Sequence, residues 1–154
     1  MMNYYELPKE KQKEIEDAGV DYDLRACLEY NPQPFDIFDI EKVVAVFEGE
    51  RDEEHWRWVI KLTPQAAKKN GGRFAYLEGG CDYTGWDCQS SANSNFASTA
   101  LKAAEYAKDG ADWKDKTFLL GVYTKLVEQI KASKSKTWRE RKDAELGVSD
   151  LPKL

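Results

Sequence analysis

The sequence predicts an α+β fold: an antiparallel meander sheet of three to four strands, covered by C-terminal helices, with short helices at the N-terminus. Two observations predict this class. Apolar and β-branched residues fill the middle of the chain from Lys42 to Glu78, partly in strict alternation. After Ser98 the apolar residues recur at helical spacing, and the pattern is strongest from Leu119 to Ile130.

The chain length fits one ordinary domain, so we expect residues 1–154 to form a single unit. The composition divides it into an N-terminal helical segment at 1–34, a β-meander plus helix at 42–110, and C-terminal helices at 115–147.

Three strands are predicted, at Lys42–Glu48, His55–Leu62 and Arg73–Glu78. The first is an almost unbroken apolar run, which is typical of a central strand covered on both faces. The second alternates, so Trp58 and Ile60 face one way while His55 faces the other and is expected to be exposed. Residues 63–72 are expected to form a loop.

Helices are predicted at 8–18, 23–30, from Ser98 to about Gly110, at 115–132 and at 137–146. The first carries almost only charged residues and should lie on the surface, whereas the fourth has a wide apolar face. We expect that face to pack on the sheet, with a shared core made by Trp58, Ile60, Val122, Leu126 and Ile130.

The net charge of −5 is unevenly distributed. Residues 1–60 carry sixteen acidic and seven basic residues, and residues 61–154 carry twelve and sixteen. Such asymmetry indicates a charged partner or, equally, solvated helix surfaces. An odd number of cysteines, no signal-peptide pattern and no long apolar run favour a soluble protein in a reducing compartment, with no membrane partner. We therefore expect the cytoplasm of a bacterium or of an infected host cell.

The most distinctive stretch is CDYTGWDC, from Cys81 to Cys88. A two-residue turn at Thr84-Gly85 would make a hairpin that serves as the fourth strand. In that register Tyr83 faces Trp86 and Asp82 faces Asp87, so two carboxylates repel each other across the strands. This conflict predicts a partner-binding site at Asp82, Tyr83, Trp86 and Asp87.

Other interpretations of the hairpin remain open. The aspartates could point into solvent, or Cys81 and Cys88 could form a cross-strand disulfide, which the expected compartment disfavours. A zinc site built from these cysteines and His55 would lack a fourth ligand. The single histidine leaves no nucleophile–base arrangement, and the paired glycines are too short for a phosphate-binding loop. No catalytic residue, metal ligand or cofactor is predicted.

The stretches VVAVFEGE, WRWVIKL and GRFAYLEGGCDYTGWDCQS resemble a group of small orphan proteins encoded by phages and bacteria. The resemblance covers about Val43 to Gly110 and implies that the meander, the hairpin and the following helix are one ancestral unit. Residues 64–70 depart from it, since a tight turn is expected there. The function of the group is unknown, so the resemblance implies an organisation and a phage origin but no chemistry.

Two charged surfaces suggest binding functions. The acidic one follows the first β-hairpin and includes Glu50, Asp52, Glu53 and Glu54. The basic one lies near the C-terminus and comprises Lys134, Lys136, Trp138, Arg139, Arg141 and Lys142.

The leading interpretation is a non-enzymatic, phage-encoded accessory protein that binds or inhibits a host protein with a basic surface. The alternatives are a nucleic-acid-binding protein that uses the basic helix, and an enzyme or metal protein centred on Cys81–Cys88. The sequence does not predict the oligomeric state.

Overall fold

In the described part of the chain, four strands form one antiparallel meander in which each strand pairs with the next. The computed structural model describes residues 4–48, 55–81, 86, 90–109 and 116–146, with side chains as far as residue 132. The strands are β1 (Ile40–Phe47), β2 (His55–Leu62), β3 (Phe74–Gly80) and β4 (Ser91–Ala97). The antiparallel α+β prediction is confirmed.

Helices precede, interrupt and follow the sheet. They are α1 (Lys9–Asp17), α2 (Tyr22–Tyr30), α3 (Pro64–Asn70), α4 (Ala100–Glu105) and α5 (Lys116–Leu146). Short 3-10 helices lie at Tyr4–Glu6, Ile37–Asp39 and Tyr106–Asp109. No helix among the described residues is both long enough and apolar enough to cross a membrane.

The N-terminal helices cover one face of the sheet. Leu24 and Cys27 of α2 share a buried cluster with Trp58 and Ile60 of β2 and with Leu77 of β3. Asp21 caps α2 by accepting a hydrogen bond from the Leu24 amide at 3.0 Å. The alternating face of β2 is therefore covered by the N-terminal segment and not, as the sequence suggested, by the helices after Ser98.

The C-terminal helices cover the opposite face. Val122, Leu126 and Ile130 of α5 share a second buried cluster with Val59 of β2 and Tyr76 of β3. The predicted core residues are all almost fully buried, as expected. These core residues belong to two clusters, however, because both faces of β2 are covered and its side chains point alternately towards one cluster and the other.

Several predicted elements differ from the structure. β1 lies at an edge of the sheet, although its apolar run predicted a central strand. The predicted loop 63–72 contains α3, whose first turn is capped by the Thr63 hydroxyl and whose end is Gly71 at a positive φ of 78°. The fourth strand is Ser91–Ala97 and not the stretch Cys81–Cys88.

The C-terminal region is also more continuous than predicted. The two helices expected at 115–132 and 137–146 form the single helix α5. The helix expected from Ser98 is α4, which is capped by the Thr99 hydroxyl and continues into the 3-10 helix Tyr106–Asp109. A continuous α5 is reasonable because the intervening residues Ala132–Lys136 include neither Gly nor Pro.

Candidate functional site: an aromatic and acidic N-terminal surface

Of the residues predicted to form the hairpin site, the structure describes Trp86 alone. Its ring is 5% exposed and packs against Trp56 and Trp58, with ring centroids 5.2 and 6.3 Å apart. The indole N–H donates to an Asp23 carboxylate oxygen at 3.4 Å, which joins Trp86 to α2. Trp86 is thus a core residue of the described chain, whereas the sequence predicted it to contact a partner.

The other predicted partner-binding residues lie outside the described residues. They are Asp82, Tyr83 and Asp87 of the hairpin, and Glu50, Asp52, Glu53 and Glu54 between β1 and β2. For the basic surface, the backbone of α5 runs through Lys134, Lys136, Trp138, Arg139, Arg141 and Lys142, whose side chains are also outside the described part.

Cys27 and Cys81 meet on the α2 side of β3. Gly79 leaves room for the Cys27 sulfur, because a Cβ at that position would lie 2.7 Å from it. Cys81, two residues further along, therefore leaves the same face of the strand and packs on the same cluster. Burial, together with a smaller effect of the nearby Cys81, raises the pKa of the Cys27 thiol to about 12. The sequence placed Cys81 opposite Cys88 in the hairpin and gave no sign that Cys27 lies beside Cys81.

The alternative of a zinc site has no counterpart in the described residues, in which no three potential ligands come together. Cys88 is outside that part of the chain. His55 is half-buried beside Gly80, where a Cβ would lie 2.5 Å from its Nδ1 atom. The expectation of an exposed histidine is therefore wrong, and burial together with Arg57 lowers the pKa of its imidazole.

A buried ion pair crosses from β2 to β3 beneath α5. Arg57 is 1% exposed, and its Nη2 atom lies 2.9 Å from the carboxylate of Glu78, its cross-strand neighbour. The guanidinium also lies near the rings of Phe47 and Phe118, at 6.0 and 5.6 Å from their centroids. Arg57 lies on the same face of β2 as His55, and it is fully buried because α5 covers that face.

Exposed aromatic residues gather on the N-terminal segment. Tyr5 and Tyr22 are 69% and 65% exposed. The Arg25 guanidinium stacks 3.9 Å from the centroid of the Tyr4 ring and lies 5.9 Å from that of Tyr5. Tyr22 precedes Arg25 by three residues on α2 and so shares its side of the helix. We call Tyr5, Tyr22 and Arg25 the tyrosine–arginine patch.

The patch is held in place from below. Tyr4 is buried, and its hydroxyl donates to a carboxylate oxygen of Glu16 at 2.7 Å. Its ring meets the Tyr5 ring edge-on, with centroids 5.2 Å apart. Hydrogen bonding to Glu16 and burial raise the pKa of Tyr4. Arg25 is therefore positioned by an anchored ring rather than extended freely into solvent.

The patch lies in the acidic half of the molecule. Residues 4–48, all of which are described, contain twelve acidic and five basic residues. Exposed carboxylates on the elements that carry the patch, and on the helix that anchors it, include those of Glu6, Glu16, Asp21 and Glu29. The sequence pointed to the charge asymmetry but not to this aromatic centre, because the fold alone brings Tyr5 beside α2.

Comparison of the chain with protein-family models, with curated proteins and with solved structures gives no match.

Proposed function

We propose that the protein acts as a non-enzymatic binding module for a partner protein with a basic surface. The observation that carries the proposal is the tyrosine–arginine patch, where two tyrosines stand more than half exposed around a stacked arginine. Because the sequence resembles phage-encoded proteins, the expected partner is a protein of an infected bacterial host, which such binding could inhibit.

The residue types of the patch support binding. Tyrosine and arginine are enriched among the residues that dominate binding energy at protein interfaces. A tyrosine ring supplies a large contact area and loses little conformational entropy on binding. Stacking on Tyr4 restricts Arg25 before any partner arrives, which lowers the entropic cost of ordering it.

The charge around the patch supports a basic partner. An acidic surface accelerates encounter with a positively charged protein and penalises acidic competitors. Exposed carboxylates at Glu6, Asp21 and Glu29 would face the partner's rim, where their contribution depends on ionic strength. The predicted acidic residues of the 49–54 segment and of the hairpin would add to the same field if they lie nearby.

The test is affinity capture from a bacterial lysate, followed by binding measurements with the captured protein once it is purified. Tyr22→Ala should weaken binding by about 2 kcal/mol, or roughly thirty-fold, if Tyr22 is a dominant contact. Leu120→Ala is the matched control, since Leu120 is 55% exposed on α5, away from the patch. Binding should also weaken as salt rises. Equal loss in both variants, or none in either, contradicts the proposal.

A second candidate function is nucleic-acid binding by α5. The specific observation in its favour is that residues 131–142 belong to one continuous helix instead of flanking a break. At 100° per residue, positions 131, 134, 138, 141 and 142 fall on one side of such a helix. That spacing would align four cations and Trp138 along a phosphate backbone.

The two candidates separate in a gel-shift experiment with single-stranded and double-stranded DNA and RNA. Nucleic-acid binding requires a shift that Lys134→Gln with Arg141→Gln weakens and that rising salt removes. Tyr22→Ala serves as the control there and should leave the shift unchanged. The absence of any shift at low salt eliminates the second candidate without affecting the first.

A further inference from the structure

The two edges of the sheet differ in how their outward backbone groups are satisfied. At the β1 edge, the Val43 amide donates to the Ala18 carbonyl at 2.7 Å. The side chain of Gln129 hydrogen-bonds both the amide and the carbonyl of Val46, at 2.9 and 2.8 Å. β1 also has two register shifts against β2 and carries charged residues. These are the features with which natural proteins block edge-to-edge pairing.

The β4 edge lacks charged residues and register shifts, and the side chains that reach its outward carbonyls do so through long hydrogen bonds. Its sequence, SANSNFA, contains no charged residue and no proline, and its pairing with β3 is regular throughout. The Ala92 carbonyl accepts from Gln33 at 3.4 Å and the Phe96 carbonyl accepts from Tyr106 at 3.3 Å, both long hydrogen bonds. These two carbonyls point away from β3, so Ser94 between them points away as well.

Ser94 is the centre of this open edge. Among the described residues, its backbone N–H and C=O have no hydrogen-bond partner. A regular, uncharged edge strand with free backbone groups is a template for another strand.

We propose that β4 pairs antiparallel with β4 of a second copy of this chain, about a two-fold axis at Ser94. The outward N–H and C=O groups of residues 92, 94 and 96 would then all be paired across the axis. The two meanders would join into one continuous sheet, with the same surface used by both copies. The pairing is independent of the proposed function and uses a different surface.

In this register the side chains of β4 complement those of β4 in the second copy. Ala92 lies opposite Phe96 of the second copy, so a small residue meets a large one. Asn93 lies opposite Asn95, and both are exposed amides that can exchange hydrogen bonds. Ser94 meets Ser94, and no like charges face each other. This self-matching favours a second copy over an unrelated strand.

Dimer formation requires existing hydrogen bonds at the β4 edge to break, which lowers the affinity of the dimer. Gln33 and Tyr106 must release their long hydrogen bonds to the β4 edge. The Ser94 hydroxyl donates to Gln33 at 2.7 Å, and it can keep this hydrogen bond only if the Gln33 side chain moves away from the edge of β4. Stable complexes commonly bury about 1,200 Å² or more, and a single strand pair buries less. The dimer should therefore be weak and dependent on concentration.

The test is sedimentation velocity from micromolar towards millimolar concentrations, first on the wild-type chain. Ser94→Lys and Ser94→Asp should each dissociate the dimer, because like charges would meet at the axis. An equimolar mixture of the two variants should restore association, since an ammonium group would then face a carboxylate across the axis. Thr117→Lys, at an exposed position of α5, makes the same charge change away from β4 and should have no effect.

Ser94→Pro is a further variant, and it should weaken the dimer roughly ten-fold by removing outward donors that β3 does not use. Circular dichroism and thermal melting establish that each variant is folded. A chain that stays monomeric at every concentration overturns the proposal. So does a dimer that Ser94→Pro leaves intact, or a mixture of the lysine and aspartate variants that associates no better than either variant alone. Binding of an unrelated extended peptide by a monomeric chain would also count against it.

Discussion

The side-chain amide of Gln129 forms the two hydrogen bonds with Val46 that a neighbouring strand would form at this edge of the sheet. Its Oε1 accepts from the Val46 amide at 2.9 Å, and its Nε2 donates to the Val46 carbonyl at 2.8 Å. The two residues are 83 positions apart in the chain, so a side chain of α5 completes the edge of β1. This contact joins the C-terminal helix to the first strand by hydrogen bonds as well as by apolar packing.

Gln129→Ala should destabilise the protein by about 1–3 kcal/mol, because two partly buried hydrogen bonds are lost and each contributes about 0.5–1.5 kcal/mol. Gln129→Glu should cost at least as much, since a carboxylate cannot donate to the Val46 carbonyl. Urea unfolding measures both effects. Glu128→Ala, at the exposed neighbouring position of α5, is the control and should change stability little. A neutral Gln129→Ala would contradict a stabilising role for this contact.

Truncations on opposite faces of the sheet should be comparably destabilising. Leu24 of α2 and Leu126 of α5 are both fully buried, in different clusters. Each Leu→Ala change should cost about 2–5 kcal/mol, which is the usual range for a core leucine. Chemical denaturation of the two single variants and the double variant measures this. If Leu24→Ala were nearly neutral, the N-terminal segment would be peripheral to the fold.

Much of the architecture could be predicted because it depends on local patterns. The alternation of β2 and the apolar stripe of α5 indicated where both elements begin, to within a few residues of the observed positions. The short helix α3 was missed, although Thr63, Pro64 and Gly71 carry the chemistry of a capped helix. The segment was predicted to be a loop, and its seven residues are too few to show an apolar helical stripe.

Other features depend on which elements meet in space, and no local pattern records that. The apolar run of β1 predicted a central strand, because apolar residues cover both faces of this strand. In the structure β1 is an edge strand, and Gln129 and Ala18 form the hydrogen bonds that a neighbouring strand would form. Trp86 was predicted to bind a partner on the basis of the local hairpin register, whereas the fold packs it on Trp58. The tyrosine–arginine patch likewise requires Tyr5 and α2 to come together.

The two described cysteines should differ in reactivity. Cys27 is fully buried with a pKa raised to about 12, whereas Cys81 is partly exposed. At pH 8 in the native state, iodoacetamide should therefore modify Cys81 well before Cys27, because the thiolate is the nucleophile. Peptide mass mapping measures the order of labelling, and urea should remove the difference. Rapid native labelling of Cys27 would show that its site opens readily.

The Cys27 thiol should also contribute to the pH dependence of the free energy of unfolding. A folded-state pKa above the unfolded value of about 8.5 means that the unfolded chain loses this proton first as pH rises. The contribution of Cys27 to stability is thus complete below that pH and is lost as pH rises towards about 12. The free energy of unfolding should fall less steeply over this window in Cys27→Ala, in which the titrating group is removed. Equal slopes would contradict the buried thiol.

Metal content tests the remaining alternative. With a reducing compartment expected, purified protein under mild reduction should show three free thiols on denaturation and no stoichiometric zinc. Elemental analysis measures this directly. A zinc signal at one equivalent that Cys88→Ser abolishes would instead support a metal protein, with Cys27 as an additional candidate ligand beside Cys81.

The ion pair between Arg57 and Glu78 should respond unequally to loss of either partner. Arg57 is 1% exposed while the Glu78 side chain is 24% exposed. Glu78→Gln leaves a buried cation without its counter-charge, so the cost should approach the 3–5 kcal/mol (as an approximate range) seen when a buried pair is broken. Arg57→Met leaves a carboxylate that water can reach, and the methionine can pack against Phe47 and Phe118.

We therefore expect Arg57→Met to cost clearly less than Glu78→Gln, although it removes the larger charged side chain. Urea unfolding of both variants at neutral pH measures the difference. Arg57→Met with Glu78→Gln removes both charges and should recover part of the loss caused by Glu78→Gln alone, because no unpaired buried cation remains. The reverse order of costs would mean that packing of the buried Arg57 side chain contributes more to stability than the charge pair does.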